Sequence, residues 1–254
     1  MTPLVDKYRP LKVEDFAGLN QPRAILGKFA ADPYPAAWLF VGPPGTGKTT
    51  MALALAKQIG GELHHIPSRN CDMEAVANVC YKCHFHPWSG KWHVVLVDEA
   101  DQMSRPAQLA FLSKLDATAA PPGTIFIFTA NDTKLLEPRF TSRCRRVQFE
   151  VNGDAAEVAK FLGRIWKAEA PALNPPDFCR IMHDAEYNVR EALMRLEVEI
   201  LCPGSLGVLG LPAIKPRCNI TVITSGRPDN WLSLSAGKKA AWTRKARLAM
   251  AQDA

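Results

Sequence analysis

Five short stretches of the chain have the hydrophobic pattern of β-strands. They are Trp38–Val41, Glu62–Ile66, Trp92–Val97, Thr124–Thr129 and Val147–Phe149. The third and fourth are nearly unbroken runs of β-branched, aliphatic and aromatic residues, which is the pattern of strands buried on both faces of a parallel sheet. The pattern therefore predicts an α/β domain with a parallel sheet.

Helical periodicity separates the predicted strands. The helices expected in this region are Gln21–Ala31, Thr49–Ile59, Met73–Phe85 and Pro106–Leu115, the last with Leu109, Leu112 and Leu115 on one side. The opening segment, Pro3–Pro10, is too short and too rich in proline for a regular element. Strands alternating with helices indicate one α/β domain over residues 1–152.

The pattern becomes wholly helical from residue 153 to residue 201. Helices are predicted at Ala156–Ala168, Asp177–His183 and Asn188–Leu201, and in the last of these one face carries Val189, Leu193, Leu196 and Ile200. These helices predict a small helical lid domain. Residues 202–254 differ, since Gly, Pro and Ser interrupt them, with one strand-like stretch at Ile220–Thr224 and a basic helix at the end.

Composition indicates the class of protein and its cellular compartment. The 254 residues are 47% hydrophobic and 22% charged, as expected for a soluble globular protein. No apolar run approaches the roughly 20 residues of a membrane helix, and the N-terminus lacks a signal-peptide core. Seven cysteines, an odd number, suit reduced thiols. We therefore expect a cytoplasmic protein without a membrane partner.

The net charge of +6 lies entirely in the C-terminal tail. Residues 201–254 contain eight basic and two acidic side chains, whereas residues 1–200 are balanced. The Lys238–Arg247 cluster is equally compatible with a DNA contact and with an ordinary solvated end.

A glycine-rich loop between the first strand and the second helix carries the strongest chemical signal. It fits G-x-x-x-x-G-K-[ST], and its residues are Gly42, Pro43, Pro44, Gly45, Thr46, Gly47, Lys48, Thr49 and Thr50. Backbone N–H groups in such a loop surround phosphates, the lysine reaches the β/γ-phosphates and the hydroxyl of Thr49 binds Mg²⁺. Strand, loop and helix together point a helix N-terminus at an anion, so an ordinary glycine turn is a weak alternative.

Two carboxylates follow the third strand, where open α/β sheets place their chemistry. With a phosphate loop upstream, Asp98 is predicted to hold Mg²⁺ and Glu99 to polarise the water that attacks the γ-phosphate. The alternative is structural, since acidic residues also cap helices and Asp101 precedes the helix at Ser104–Leu115.

Three further polar residues are weaker candidates on their own. Asn131 follows the fourth strand and could orient a water or contact the γ-phosphate, although such an asparagine is more often a turn residue. Arg143 is either a surface arginine or a finger for a neighbouring subunit's γ-phosphate. Arg190 begins the last helix and could enter the ATP site from the lid.

Together these pieces resemble the AAA+ ATPases, and within them the clamp-loader small subunits of the replication factor C type, over about residues 3–200. The resemblance rests on the Leu4–Pro10 arm, the phosphate loop, Asn131 at the sensor-1 position, Ser142-Arg143-Cys144, which is identical to the clamp-loader finger motif, and the sensor-2-like Asn188–Leu193.

The resemblance implies a five-stranded parallel P-loop sheet flanked by helices. It implies that Val5, Tyr8 and Arg9 contact adenine, that Arg190 reaches the nucleotide, and that Arg143 acts in trans on ATP held by the next subunit. It also implies ATP and Mg²⁺ as cofactors. The implied partners are primer-template DNA, a sliding clamp and other loader subunits in a hetero- or homo-oligomeric ring, in a bacterial or phage-infected cytoplasm. Residues 202–254 do not resemble the helical collar of that family.

A zinc site is the least favoured prediction from the cysteines. The spacing of Cys71, Cys80, Cys83 and His86 imitates a zinc module of bacterial clamp-loader motor subunits, but that module precedes the second strand and these residues follow it. Met73, Val76, Ala77, Cys80 and His84 recur at helical spacing, so core cysteines are the simpler interpretation.

Other functions remain open at this point. Another DNA-directed AAA+ motor, such as a branch-migration or recombination ATPase, would share the site but not usually Ser-Arg-Cys. A nucleotide-binding scaffold with little turnover is a second alternative, against which the intact Glu99 argues. A protein unfoldase is disfavoured, because no aromatic-hydrophobic-glycine pore loop follows the second strand.

Overall fold

The computed structural model describes residues 2–116, 119–150 and 155–204. Its strands are β1 (Ala36–Val41), β2 (Gly61–Pro67), β3 (Trp92–Asp98), β4 (Thr124–Ala130) and β5 (Arg145–Gln148). All pairings are parallel, and the order across the sheet is β2-β3-β4-β1-β5. The predicted five-stranded parallel sheet is confirmed.

The strand order decides which loops meet. β4 lies between β1 and β3, with Val41 opposite Ala130 and Val97 opposite Phe128. The loops that leave the carboxyl ends of β1, β3 and β4 therefore converge on one edge of the sheet, as the position of ligand sites in open α/β sheets requires.

The helices of the described residues lie close to their predicted positions in the chain. They are α1 (Leu4–Lys7), α2 (Asn20–Ala31), α3 (Lys48–Gln58), α4 (Met73–Lys82), α5 (Arg105–Leu115), α6 (Pro138–Thr141), α7 (Ala155–Glu169), α8 (Phe178–Asp184) and α9 (Val189–Leu201). The prediction that the opening segment is irregular was wrong for one turn, since α1 forms there and buries Leu4.

The sheet separates two hydrophobic cores. Trp38 and Phe40 of β1 pack on one face with α2, α3 and the helices α7 to α9, whereas Leu39 and Val41 pack on the other face with α4 and α5. This alternation follows from the period of two along a strand, and both faces are covered because the sheet is parallel.

Two predicted helix faces need correction. In α5 the buried residues are Ala107, Gln108 and Phe111, whereas Leu109 is 47% exposed. Gln108 is stable inside because its side-chain nitrogen donates to the Met103 and Leu135 carbonyls and its oxygen accepts from the backbone N–H of Glu137.

The predicted face of α4 was also wrong in part. Val76, Val79, Cys80 and the following Cys83 are buried, while Met73, Ala77 and His84 are exposed. α4 ends at Lys82, three residues earlier than predicted. In α9 the predicted face is confirmed, with Leu193 and Leu196 buried and Val189 and Ile200 packed against the same core.

Several predictions concern residues outside the described ranges. The strand at Ile220–Thr224, the basic helix and the Lys238–Arg247 cluster all belong to residues 205–254, and the predicted domain boundary near residue 152 falls within 151–154. These remain predictions. Among the described helices, none is both long enough and apolar enough to cross a bilayer.

Candidate nucleotide-binding site

The phosphate loop leaves β1 and leads directly into α3. The residue before α3 is Gly47, with φ +92°, and Lys48 is the first helical residue, so the helix N-terminus faces the loop. Gly42 lies so close to the chain at Phe149 that an added Cβ would be 2.2 Å from the Phe149 carbonyl oxygen. Gly42 is therefore required for β1 and the residues after β5 to pack.

Lys48 is the central charged group of the loop. Its ammonium donates to the carbonyl oxygens of Gly42 and Pro43, at 2.7 and 2.8 Å, and to Asn131 Oδ1 at 3.1 Å. Burial lowers the pKa of Lys48, and the carboxylates of Asp101 and Asp98 oppose that shift. The lysine is thus a buried cation held beside the place where phosphate oxygens would lie.

The proposed magnesium ligands lie side by side. Thr49 Oγ1 donates to Asp98 Oδ1 at 2.6 Å, which joins the start of α3 to the end of β3. A hydroxyl and a carboxylate are hard oxygen ligands of the kind Mg²⁺ takes together with phosphates and waters. The donor set fits magnesium at the position that the sequence predicted.

Glu99 has an unusual backbone. Its φ of +53° lies in the left-handed region, which non-glycine residues adopt at a cost of about 1–3 kcal/mol. Thr129 of β4 holds it there, since the Thr129 hydroxyl accepts from the Glu99 backbone N–H at 3.0 Å and donates to Asp98 Oδ1 at 2.5 Å. The Glu99 side chain is exposed at the edge of the sheet, where it is free to contact a water.

Asn131 follows β4 and lies beside Asp98 and Glu99 at the end of β3, as expected because these two strands are neighbours. Besides accepting from Lys48, it donates its backbone N–H to Asp101 Oδ1 at 3.4 Å. The alternative that Asp101 caps α5 was wrong, because Ser104 is the cap and accepts from the Ala107 N–H. Asp101 is instead 93% buried. Its carboxylate fixes the backbone at Asn131 and favours the charged form of Lys48.

The N-terminal arm forms one wall of a cavity beside the phosphate loop. Val5, Tyr8 and Arg9 line it together with Thr50 and Arg190, and its volume is about 840 Å³ including the open mouth. The Tyr8 hydroxyl donates to Glu169 of α7, and Lys7 pairs with the same carboxylate at 2.7 Å. Arg9 is half exposed and bonded to Asp6.

Residues at the start of α9 contact the phosphate loop directly. Asn188 caps α9 by accepting from the Glu191 N–H, and its Nδ2 donates to the Pro44 carbonyl at 3.1 Å. The Arg190 backbone N–H faces the Gly45 carbonyl at 3.4 Å. The start of α9 therefore rests on the loop, and the Arg190 side chain lines the cavity described above.

Arg143 is not part of this cavity. Its Nε donates to Asp116 Oδ1 at 2.6 Å, and its guanidinium also donates to the Arg139 carbonyl. Since Arg145 pairs with Trp38 near the start of β1, Arg143 lies at the amino-terminal edge of the sheet. The phosphate loop lies about 20 Å away, at the other end of the six-residue β1.

The residues of the predicted zinc spacing do not meet. Cys71 Sγ lies 3.6 Å from the Met103 sulfur, Cys80 is buried in the core, and His86 is exposed. Among the described residues, the group that could hold a metal is His64, Cys83 and His93, which shares only Cys83 with that spacing.

The positioning roles of three residues were not predicted from the sequence. Thr129, Asp101 and Asn188 hold Glu99, Asn131 and the lid in place. A polar side chain at the end of an otherwise apolar strand is a signal that could have identified Thr129, and the helix-cap position of Asn188 is another.

A family model matches residues 38–152, and its description is "ATPase family associated with various cellular activities (AAA)". Replication factor C subunit 3 of Blastobotrys adeninivorans is 32% identical over 203 residues, covering 77% of this chain and 59% of that protein. The replication factor C small subunit of Methanothermobacter thermautotrophicus is 28% identical over 205 residues, covering 77% and 62%. The chain spans about three fifths of the length of these curated relatives.

Among solved structures, the Thermotoga maritima RuvB Holliday junction branch migration motor superposes with a TM-score of 0.61. The identity is 17%, and the match covers 75% of this chain and 64% of that one. At this identity the likeness concerns the fold alone.

Proposed function

Because the chain carries a domain of the AAA ATPase family, we propose that it hydrolyses ATP as a subunit of a sliding-clamp loader in DNA replication. The observation that carries the hydrolytic part is that Asp98, bonded directly to Thr49, is joined to Glu99 through the Thr129 hydroxyl. A site that only bound nucleotide would have no need of a carboxylate held in a strained backbone beside the magnesium ligands.

The chain's own groups divide the work of phosphoryl transfer. The backbone of the Gly42–Gly47 loop and the N-terminus of α3 bind the phosphates, and Lys48 exchanges its carbonyl and Asn131 contacts for the β/γ-phosphate oxygens. Thr49 and Asp98 hold magnesium, which when bound neutralises charge on the β/γ-phosphates. Glu99 polarises the attacking water, and Asn131 orients it toward the γ-phosphate.

The arm and the lid close the opposite side of the nucleotide. In this proposal the base lies in the cavity lined by Val5, Tyr8 and Arg9, and Arg190 enters from the lid. Because Asn188 and Arg190 rest on the same loop that binds phosphate, the lid position responds to occupancy of the loop. This is the coupling by which a bound nucleotide would change the shape of an assembly.

Arg143 is proposed to act on a neighbouring subunit. It cannot serve its own site, because the phosphate loop lies at the far end of β1. Its partner Asp116 is an exposed carboxylate, and such surface pairs contribute only about 0–1 kcal/mol, so a phosphate can replace it. The partners implied by this assignment are further loader subunits, primer-template DNA and a sliding clamp.

The main alternative is another DNA-directed motor of the same fold, such as a branch-migration ATPase. The RuvB structures support it only through the fold. The relatives named as replication factor C subunits, at 28–32% identity over about 200 residues, together with Ser142-Arg143-Cys144, favour the clamp loader. A bacterial or phage origin stays a prediction.

The test is a complementation assay of ATP hydrolysis with and without primed DNA and the clamp of the same source. Arg143→Ala and Glu99→Gln should each be inactive alone, and mixing them should restore part of the activity, because one variant supplies the finger and the other the water-polarising carboxylate. Arg146→Ala, a change of a neighbouring exposed arginine, is the control and should behave as wild type.

Two outcomes of this assay would contradict the proposal. Full activity of Arg143→Ala alone would contradict the proposal that Arg143 acts on ATP in a neighbouring subunit. If neither DNA nor clamp stimulates ATP hydrolysis by the wild type, the proposed clamp-loading function is contradicted, while the ATPase assignment is unaffected.

A further inference from the structure

Three potential metal ligands converge at the β2 edge of the sheet, away from the nucleotide site. They come from three elements, His64 from β2, His93 from β3 and Cys83 from the turn after α4. Their ligand atoms all lie within 4.8 Å of one another. Cys83 and His93 are buried and His64 is half buried, so the ligand atoms are largely shielded from water.

The orientation of His93 favours coordination. Its Nε2 lies 2.9 Å from the Phe85 carbonyl, and because a carbonyl can only accept, that nitrogen carries the proton. The lone pair of Nδ1 is thus directed at the cluster, where it accepts a hydrogen bond from His64 Nε2 at 3.0 Å. Metal binding through His64 Nε2 requires that proton to move to Nδ1 of the same ring or to leave to solvent. A histidine that donates one ring N–H to a backbone carbonyl while the other nitrogen faces a cluster is the usual arrangement of a metal ligand.

A carboxylate lies against the two imidazoles. The two oxygens of Glu62 are 4.0 Å from His64 Nε2 and 3.8 Å from His93 Nδ1. The backbone N–H of Trp88 donates to the second of them at 2.6 Å, which fixes the carboxylate to the loop before β3. One sulfur and two imidazole nitrogens therefore form the cluster, and the Glu62 carboxylate lies beside its two histidines as a fourth candidate ligand.

We propose that Cys83, His64, His93 and Glu62 bind a zinc ion. Thiolate, imidazole and carboxylate are the ligands of zinc, and four of them make the closed tetrahedral set of a structural site. Bond lengths of about 2.0–2.3 Å place tetrahedral ligands about 3.5 Å apart, so the separations among Cys83, His64 and His93, all within 4.8 Å, need to change by at most about 1.3 Å. Glu62 lies 4.0 and 3.8 Å from the imidazole nitrogens of His64 and His93. The bond forms between zinc and the Cys83 sulfur, and the thiol proton leaves to solvent.

Zinc binding has to displace a proton from the cluster, because only a thiolate ligates the metal. Burial raises the pKa of Cys83 to about 12, although a hydrogen bond with Thr124 opposes the rise, so the site holds a neutral thiol until an ion displaces the proton. Burial lowers the pKa of His64, which keeps its imidazole in the neutral form that metals bind.

The position of the site indicates a structural role. His93 is near the start of β3 and Asp98 is its last residue, so about 17 Å of strand separates the zinc ligands from the magnesium ligands. An ion here would tie the chain between Cys83 and Lys91 to the edge of the sheet. That stretch includes Phe85 and Trp88, which are 58% and 95% exposed.

The test uses the full chain, freed of metal with a chelator and titrated with zinc and with cobalt. We expect one equivalent of zinc per chain, a rise in Tm on binding, and a thiolate-to-cobalt charge-transfer absorption that Cys83→Ser abolishes. His64→Gln and Glu62→Gln, at partly exposed positions that tolerate replacement, should weaken zinc binding about tenfold or more while the far-ultraviolet circular dichroism stays unchanged.

The matched controls are Cys71→Ser and His86→Ala, which change residues of the sequence-spaced set that lie outside the cluster. Both should bind zinc as the wild type does. The proposal is overturned if the wild type takes up no stoichiometric zinc, if binding survives in both Cys83→Ser and His64→Gln, or if either control loses it. None of these results affects the proposed ATPase, which is measured separately.

Discussion

Replacing Thr129 by valine tests how the catalytic edge of the sheet is held together. Valine has nearly the same shape as threonine and fits the same buried site, which is 1% exposed, but it has no hydroxyl. The change removes a hydrogen bond to the Asp98 carboxylate and one from the Glu99 backbone N–H. It leaves the Thr49 to Asp98 hydrogen bond in place.

The expected size of the effect follows from these two contacts. A hydrogen bond to a charged group contributes about 1.5–3 kcal/mol and a neutral one about 0.5–1.5 kcal/mol, for a total of about 2–4.5 kcal/mol. Because Asp98 is only half buried and keeps Thr49, we expect the unfolding free energy to fall by about 2 kcal/mol. Losing the contact that holds Glu99 at φ +53° should lower kcat about tenfold, since about 1.4 kcal/mol corresponds to a factor of ten.

The assay compares denaturant unfolding and steady-state ATP hydrolysis with those of Thr124→Val. Thr124 is a control on the same strand, also 1% exposed, whose hydroxyl makes only neutral hydrogen bonds, one of 3.3 Å to the Pro122 carbonyl and one with the Cys83 thiol, both remote from Glu99. The control should lose at most about 1 kcal/mol of stability and keep the wild-type kcat. Wild-type kcat in Thr129→Val, or an equal loss in the control, would refute the reasoning that Thr129 positions Glu99.

Two further predictions concern the loop and its charge. Asp101→Asn removes the carboxylate that most strongly opposes the lowering of the Lys48 pKa by burial, so Lys48 should lose its proton, and ATP affinity should fall, at lower pH than in the wild type. Equilibrium binding of ATP across the neutral to alkaline range measures this, and coincident profiles would contradict it. Gly45→Ala puts a Cβ 2.0 Å from Asn188 Oδ1 at φ +74° and should weaken ATP binding at least about tenfold. Gly60→Ala has a similar φ of +65° with nothing within 4 Å, so it should cost about 1 kcal/mol of stability and leave ATP affinity unchanged.

The fold was predictable because its strands must be buried on both faces. Runs such as Thr124–Thr129 have no polar alternation, and glycine and proline interrupt the chain on either side of them. The helix faces were harder to predict, because hydrophobic periodicity counts leucines and ignores polar groups that are fully bonded inside. Gln108 is buried with both ends of its amide satisfied, and Leu109 takes the exposed position that a count of apolar residues assigns to the core.

The site was predictable wherever one contiguous motif carries it. The phosphate loop and the Asp98-Glu99 pair each need only a few neighbouring residues and the strand that precedes them. Thr129 and Asp101 act through contacts that depend on β4 lying between β1 and β3, and periodicity along the chain does not specify that order. The cluster of His64, Cys83 and His93 was not predictable for the same reason, since its members are neighbours only after β2 pairs with β3.

The separation of Arg143 from its own phosphate loop constrains any assembly that uses both. The arginine lies at the amino-terminal edge of the parallel sheet and the loop at the carboxyl-terminal edge, so the two surfaces of one subunit are different. A contact that joins them is head-to-tail, and repeating it gives a closed ring or an open helix but never a two-fold dimer. In the isolated chain Asp116 holds the arginine in a weak exposed pair. If Arg143 acts in trans as proposed, a neighbour's triphosphate would replace Asp116 as its partner by a more highly charged one, and ATP would strengthen the contact between subunits.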